Sequence, residues 1–218
     1  RVSGSISKEY FTGDLKIDSK LVAELADLAL AQDSKRSGAD PTTKGGLDSV
    51  NYDKTKYKAE YINITDFFKP KMNKLIIDFG IERFLTLSSY VAGYWVTMDE
   101  LSFTLAKTKG ENSNSNWHSD TFVPTVKGFV YLKNIEMGDS QFEYSAGSTK
   151  LNFISKVHMN WMRDGGAKTG APRILDKKTL LLTQSNSIPF TGDIGTMIVA
   201  NTMGLHRKGP DLNESERI

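Results

Sequence analysis

The spacing of apolar positions changes character near the middle of the chain. From Ser19 to Ala31, the residues Leu21, Val22, Leu25, Leu28 and Leu30 recur near helical spacing and predict a helix. Two further helices are expected from Asp66 to about Ile77 and from about Ile81 to Tyr90, punctuated by Gly80 and Gly93. Residues 33–58, rich in Gly, Ser, Asp, Thr and Lys, read as a long polar loop. From Tyr94 the period shortens. Val96–Lys107 and Thr121–Leu132 alternate β-branched and aromatic residues with polar ones, as half-buried strands do, around a Ser/Asn turn at Asn112–Asn116. Gly138-Asp139 marks a turn, and Gln141–Tyr144 is short and strand-like. Asn152–Arg163 is helical in pattern and leads into a loop, Asp164–Pro172, with three glycines. Thr179–Gln184 and Gly195–Thr202 are the last predicted strands. Helices first, then strands separated by turns, indicate an α+β fold with an antiparallel β-sandwich.

Composition narrows this without redirecting it. At 218 residues the chain suits a single domain, 1–218, with a sizeable core. Its parts are a mainly helical 1–93 and a strand-rich 94–218 interrupted by an insert, 151–178. A net charge of +2, with acids and lysines interspersed, offers no electrostatic case for nucleic acid or an anionic membrane. No apolar run approaches the ~20 residues that span a bilayer. Arg1–Ser5 does not read as a signal peptide, so a cytoplasmic location is the default expectation. With no cysteine there is neither disulfide nor thiolate chemistry, and any metal must be held by His and carboxylate.

Trp117-His118-Ser119-Asp120 and, much later, His206 supply such donors. Two imidazoles and one carboxylate form the ligand set that holds non-haem Fe(II) on one face and leaves other positions open. Arg217, eleven residues after His206, is placed to clamp the carboxylate of an acidic co-substrate. A lone His-x-Asp arises readily by chance, and the bland alternative is a turn-capping His118 and a satisfied surface His206. Strand context and the trailing arginine weigh toward the metal: His118 and Asp120, two apart, share one side of an extended backbone, and His206 follows an apolar strand.

Several stretches together resemble the phytanoyl-CoA dioxygenase-like family of Fe(II)- and 2-oxoglutarate-dependent oxygenases. They are Trp117-His118-Ser119-Asp120, Gly138 to Lys150, Gly192-Asp193, and His206-Arg207-Lys208-Gly209-Pro210 through Arg217. The resemblance covers about Trp95 to Ile218. It implies a double-stranded β-helix (jelly-roll) core with the N-terminal helices packed on the sheet. It also implies that His118, Asp120 and His206 bind Fe(II), and that Arg217 binds the distal carboxylate of 2-oxoglutarate. Ser215 falls where such enzymes place a small polar residue near that carboxylate. Phe129 is the candidate aromatic lining the co-substrate pocket and Lys107 the candidate assisting lysine; their plain alternatives are a core residue and a solvated one. The family's Pro-Gly-Ser-His segment reads here Ala146-Gly147-Ser148-Thr149, a change expected to be tolerated because that segment shapes the sheet.

The implied chemistry is O2-dependent hydroxylation of a small molecule with release of succinate and CO2. A carboxylate at Asp120 points to hydroxylation rather than halogenation. Three rivals remain at this level: a taurine-dioxygenase-like oxygenase, a cupin-like jelly roll that binds metal without oxidative turnover, and a degenerate homologue that keeps the ligands but has lost activity. Arg207 and Lys208 either steer anions or are solvated strand-end charges. His158 and the glycines of 164–172 are candidates for a lid over the mouth.

Overall fold

A computed structural model describes residues 9–14, 20, 24, 58–63, 81–101, 104–110, 113–121, 124–150, 157, 177–215 and 217. Among them run strand β1 (Tyr10–Asp14), β2 (Lys58–Asn63), helix α1 (Ile81–Ala92), β3 (Thr104–Lys109), β4 (Val126–Val130), β5 (Phe142–Ser145), helix α2 (Lys177–Ser185), β6 (Ser187–Phe190), β7 (Thr196–Asn201) and β8 (His206–Lys208). They form antiparallel sheets in the orders β1-β7-β4, β6-β5-β8 and β2-β3.

The two three-stranded sheets pack face to face. Ile198 and Ala200 of β7 meet Phe142 and Tyr144 of β5 and Phe190 of β6, with Tyr10, Phe129 and Ile188 at the margin. The other face of β7 carries Met197 and Val199, which pack against Val91, Phe84 and Leu87 of α1. Every residue of β7 is therefore buried, which explains a nearly continuous apolar run where a surface strand would alternate. Helix α1 approaches so closely that a Cβ added to Gly128 of β4 would lie 1.8 Å from the Phe84 ring. Gly93, at φ +80°, ends the helix, in the left-handed conformation glycine adopts without strain.

Tyr131 braces the sandwich. Its backbone extends the β4–β7 pairing, with N–H to Thr196 O at 3.0 Å. Its hydroxyl donates to Phe190 O at 2.8 Å and accepts from Phe142 N–H at 3.0 Å, reaching a cross-strand pair of the opposite sheet. Burial pushes its phenol pKa up, so it remains a neutral donor.

Expectation and structure differ in several places. The segment Thr179–Gln184, expected as a strand, is helical within α2. Thr183 is buried and Leu180 turns toward the core, while Leu181 and Leu182 are 56% and 50% exposed. Inward positions three apart are helical spacing, and a short apolar run cannot declare that period by composition. The strand expected over Val96–Lys107 is confined to β3, because Met98–Glu100 forms a 3-10 turn in which the Glu100 carboxylate accepts from Thr97 N–H. Strands β1, β2, β6 and β8 were not foreseen. Pro189 argues against a strand, but β6 lies at a sheet edge, where a missing N–H costs nothing. The third expected helix is α1. The expected helices at 19–31, 66–77 and 152–163, the loop 33–58, His158 and the loop 164–172 fall outside the described residues, except that Lys20, Glu24 and Val157 are helical and Lys58 begins β2. No helix among the described residues is long and apolar enough to cross a membrane.

Tyr131→Phe should remove the brace and leave Phe142 N–H and Phe190 O buried without it. We expect a loss of roughly 1–3 kcal/mol, read by urea unfolding with the m-value unchanged. Wild-type stability in this variant would contradict the assigned role.

Candidate metal centre

The two predicted histidines are cross-strand partners. His118 N–H donates to His206 O at 3.0 Å and His206 N–H to His118 O at 2.9 Å, a reciprocal antiparallel pair. Residues paired in this way project their side chains to the same side of the sheet. The ring centroids are 4.4 Å apart, and both imidazoles are buried. His206 is also the register partner of Tyr144, so this side is the inner face of the sandwich.

The turn before β8 sets the rest of the site. Asp120 N–H donates to Thr202 O at 3.0 Å, and Ser119 Oγ to Met203 O at 2.9 Å. Gly204 permits the tight approach, since an added Cβ would meet Tyr144 Oη at 1.9 Å. Ser148, within the Ala146–Thr149 segment, accepts from Leu205 N–H at 2.8 Å and donates to Ser145 O at 2.6 Å. That segment thus holds the chain one residue before His206.

The ring orientation is specified as well. His118 Nδ1 lies 2.7 Å from Asn116 O, and His206 Nδ1 lies 2.9 Å from Gly204 O. A carbonyl only accepts, so each Nδ1 carries a proton, and each ring in its neutral form presents an Nε2 lone pair. Those nitrogens are 3.8 and 3.6 Å from Asp120 Oδ1, too long for a direct hydrogen bond. All three donor atoms lie within 4.8 Å of one another, a group able to hold a metal ion. The other oxygen, Oδ2, is 2.7 Å from Lys127 Nζ of β4. Lys127 thereby leaves Oδ1 as the oxygen turned toward the imidazoles. Burial opposes ionisation of Asp120, but His206 when its ring is protonated, and the Lys127 ammonium, outweigh it and hold the carboxyl far below the usual carboxylate range.

The remaining candidates occupy distinct places. Phe129 is half-buried, its ring 4.6 Å from Phe142, which is in turn 5.7 Å from the His206 ring. Arg217 pairs its backbone with Thr108 of β3, and its Nη1 donates to Ser140 O at 2.7 Å. Its charge reaches Tyr131. Ser215 lies in the preceding turn, its N–H held by Asp211 Oδ1 at 3.0 Å. Lys107 stands on β3 opposite Glu60; its side chain lies outside the described residues.

Arg207 and Lys208 are not solvated strand-end charges. Lys208 is 3% exposed, and its Nζ donates to Gly110 O. It shares the inner face with His206, whereas Arg207 faces the opposite side and pairs with Glu143. Alternation along β8 carried this signal, but a three-residue strand is too short to announce itself. Lys127 was missed because a lysine on an alternating strand reads as ordinary solvent-facing charge.

No protein-family model and no curated protein matches the chain by sequence. Solved structures of similar fold do exist. The epimerase SnoN, in complex with Fe3+, alpha-ketoglutarate and nogalamycin RO, is 14% identical over 96% of this chain and 75% of its own, with a TM-score of 0.58. HygX from Streptomyces hygroscopicus, with nickel and 2-oxoglutarate bound, is 16% identical over 96% and 79%, with a TM-score of 0.56. EctD from S. alaskensis, in its apo form, is 15% identical over 96% and 70%, with a TM-score of 0.57. The chain shares their fold.

Because Asp120 is already a carboxylate in mildly acidic solution, protons should compete with a metal only at the two imidazoles. Co(II) affinity should therefore be greatest where both rings are neutral and fall with acidification, approaching two protons displaced per ion. Titration calorimetry in buffers of different ionisation enthalpy reads this number. Three displaced protons would show that Asp120 is protonated before binding.

Proposed function

We propose that this chain is an Fe(II)- and 2-oxoglutarate-dependent oxygenase of the phytanoyl-CoA dioxygenase-like type, in which His118, Asp120 and His206 hold the iron. The observation that carries this reading is the convergence of two Nε2 lone pairs and Asp120 Oδ1 on the inner face of the sandwich. A set of two neutral imidazoles and one carboxylate, with no thiolate, suits Fe(II) with open positions. Two structures of like fold support it, one holding Fe3+ with alpha-ketoglutarate and one nickel with 2-oxoglutarate.

The bound iron, with 2-oxoglutarate and O2, would supply the oxidising power, releasing succinate and CO2. The residues of the chain bind, aim and exclude. Asn116 and Gly204 carbonyls keep both rings in the ligating tautomer. Lys127 keeps Asp120 presenting one oxygen. Arg217 would receive the distal carboxylate of 2-oxoglutarate through a charge-assisted fork, exchanging its bond to Ser140 O for a stronger acceptor. Phe129 and Phe142 form the apolar wall beside His206, excluding water from the space where the co-substrate would lie. Ser215 and Lys107 are assigned supporting places around that carboxylate. The primary substrate is a small molecule, and hydroxylation is the proposed outcome, since the carboxylate of Asp120 leaves no ligand position there for halide.

Anaerobic addition of Fe(II) and then 2-oxoglutarate should produce the weak visible charge-transfer band of the chelated co-substrate. His206→Ala should abolish the band. Arg217→Ala should retain iron but weaken 2-oxoglutarate by roughly 10- to 150-fold, the worth of a charge-assisted contact of ~1.5–3 kcal/mol. Iron binding without any band would overturn the oxygenase reading in favour of a non-oxidative, cupin-like site.

A further inference from the structure

The bridge between His118 and His206 consists of two backbone hydrogen bonds and is isolated: among the described residues, no ladder continues from it on the His118 side. On the Asp120 side the segments are also tied by Asp120 N–H to Thr202 O and Ser119 Oγ to Met203 O. On the other side no further backbone pairing follows among the described residues, so there the approach of the two segments is left to side chains. The next residues along the two backbones are Trp117 and Arg207. Strand alternation puts them on the face opposite the imidazoles. They are in contact there, the Arg207 guanidinium carbon lying 4.8 Å from the Trp117 ring centroid.

Arg207 is itself anchored. Its Nε and Nη2 both lie 2.8 Å from Glu143 Oε2, on the neighbouring strand β5, where Glu143 is its register partner. Glu143 is nearly fully buried, and its charge is satisfied on every side: Gln141 Nε2 donates to Oε1 at 2.9 Å and Ser187 Oγ to Oε2 at 3.3 Å. A carboxylate held this firmly fixes the guanidinium plane, and the plane fixes the indole resting on it. Trp117 is buried from its other sides by Leu205, Met203, Val157 and Leu180. An outer row, Trp117–Arg207–Glu143, thus runs parallel to the inner row His118–His206–Tyr144, one residue over on the same backbones.

We propose that Arg207 is a positioning residue for the metal pair: stacked on Trp117 and tied to Glu143, it locks the cross-strand approach that aims His118 and His206 at one ion. This inference rests on the metal reading above and assigns Arg207 no contact with metal or substrate. It differs from a purely structural ion pair in one respect: removing it should change how the imidazoles meet a metal, not only how strongly the chain folds.

The test uses the full chain and Co(II) alone, followed by its visible d–d bands and by titration calorimetry. Arg207→Met keeps an apolar stem over Trp117 and removes the planar cation. Trp117→Phe keeps a smaller ring and is the second variant should Arg207→Met fail to fold. Phe190→Leu, in the core between the sheets, is the control for lost stability without loss of the clamp. We expect Arg207→Met to weaken Co(II) about 10- to 100-fold, as loss of an outer contact around a metal site does, and to shift or broaden the d–d bands. Trp117→Phe should change both in the same direction to a smaller extent, and the double variant should be no worse than Arg207→Met. Phe190→Leu should bind Co(II) within about twofold of wild type. Variants that melt earlier yet bind Co(II) as wild type does would overturn this inference alone. A wild-type chain that takes no Co(II) would overturn the metal reading and this inference with it.

Discussion

The reciprocal hydrogen bonds between His118 and His206 are the constraint around which the molecule is organised. Each imidazole alone is an ordinary buried side chain. Paired across two segments distant in sequence, they face the same way, and their Nδ1 atoms are both occupied by carbonyls two residues back. That repeated local geometry produces two lone pairs pointing into one space. Asp120 completes the group because the turn at Thr202 and Met203 grips residues 119 and 120 from the same side.

The wider fold keeps this bridge in place. Strand β7 leads directly into the gripping turn and is buried on both faces, by the opposite sheet and by α1. Strand β8 is held on its other edge by β5, whose Phe142 and Tyr144 belong to the core while Glu143 faces the other way to hold Arg207. Tyr131 ties the sheets together just beside Phe142. The site is therefore carried by strands and by a turn with no room for a side chain at Gly204, rather than by loops alone. Rigid supports of this kind matter for a metal site, where small displacements of a donor weaken binding.

Charge is handled with the same economy. Two carboxylates near the centre are paired with cations: Asp120 with Lys127, and Glu143 with Arg207. Removing the cation of either pair would be costly, because the carboxylate left behind would stay largely desolvated, whereas Lys127 is half exposed. The first sets which carboxylate oxygen faces the imidazoles, and the second lies behind them.

Much of this was legible in the sequence alone. Donor chemistry follows from residue type: with no cysteine, His118, Asp120 and His206 were the obvious candidates, and they do converge. Helix α1 and strands β4, β5 and β7 were also foreseen, because apolar spacing along a chain reports which face is buried. The segment at α2 was misjudged, since a run of leucines and threonines hides its period until a neighbouring surface selects Leu180 and Thr183. Short strands such as β6 and β8 carry too few residues to display alternation. Only the tertiary structure decided that Lys127 meets Asp120, that Arg207 rests on Trp117, and that Lys208 is buried rather than solvated. The reason is physical: residue type determines what a side chain can do, whereas strand register determines which side chain it does it with, and register is settled between segments far apart in the chain.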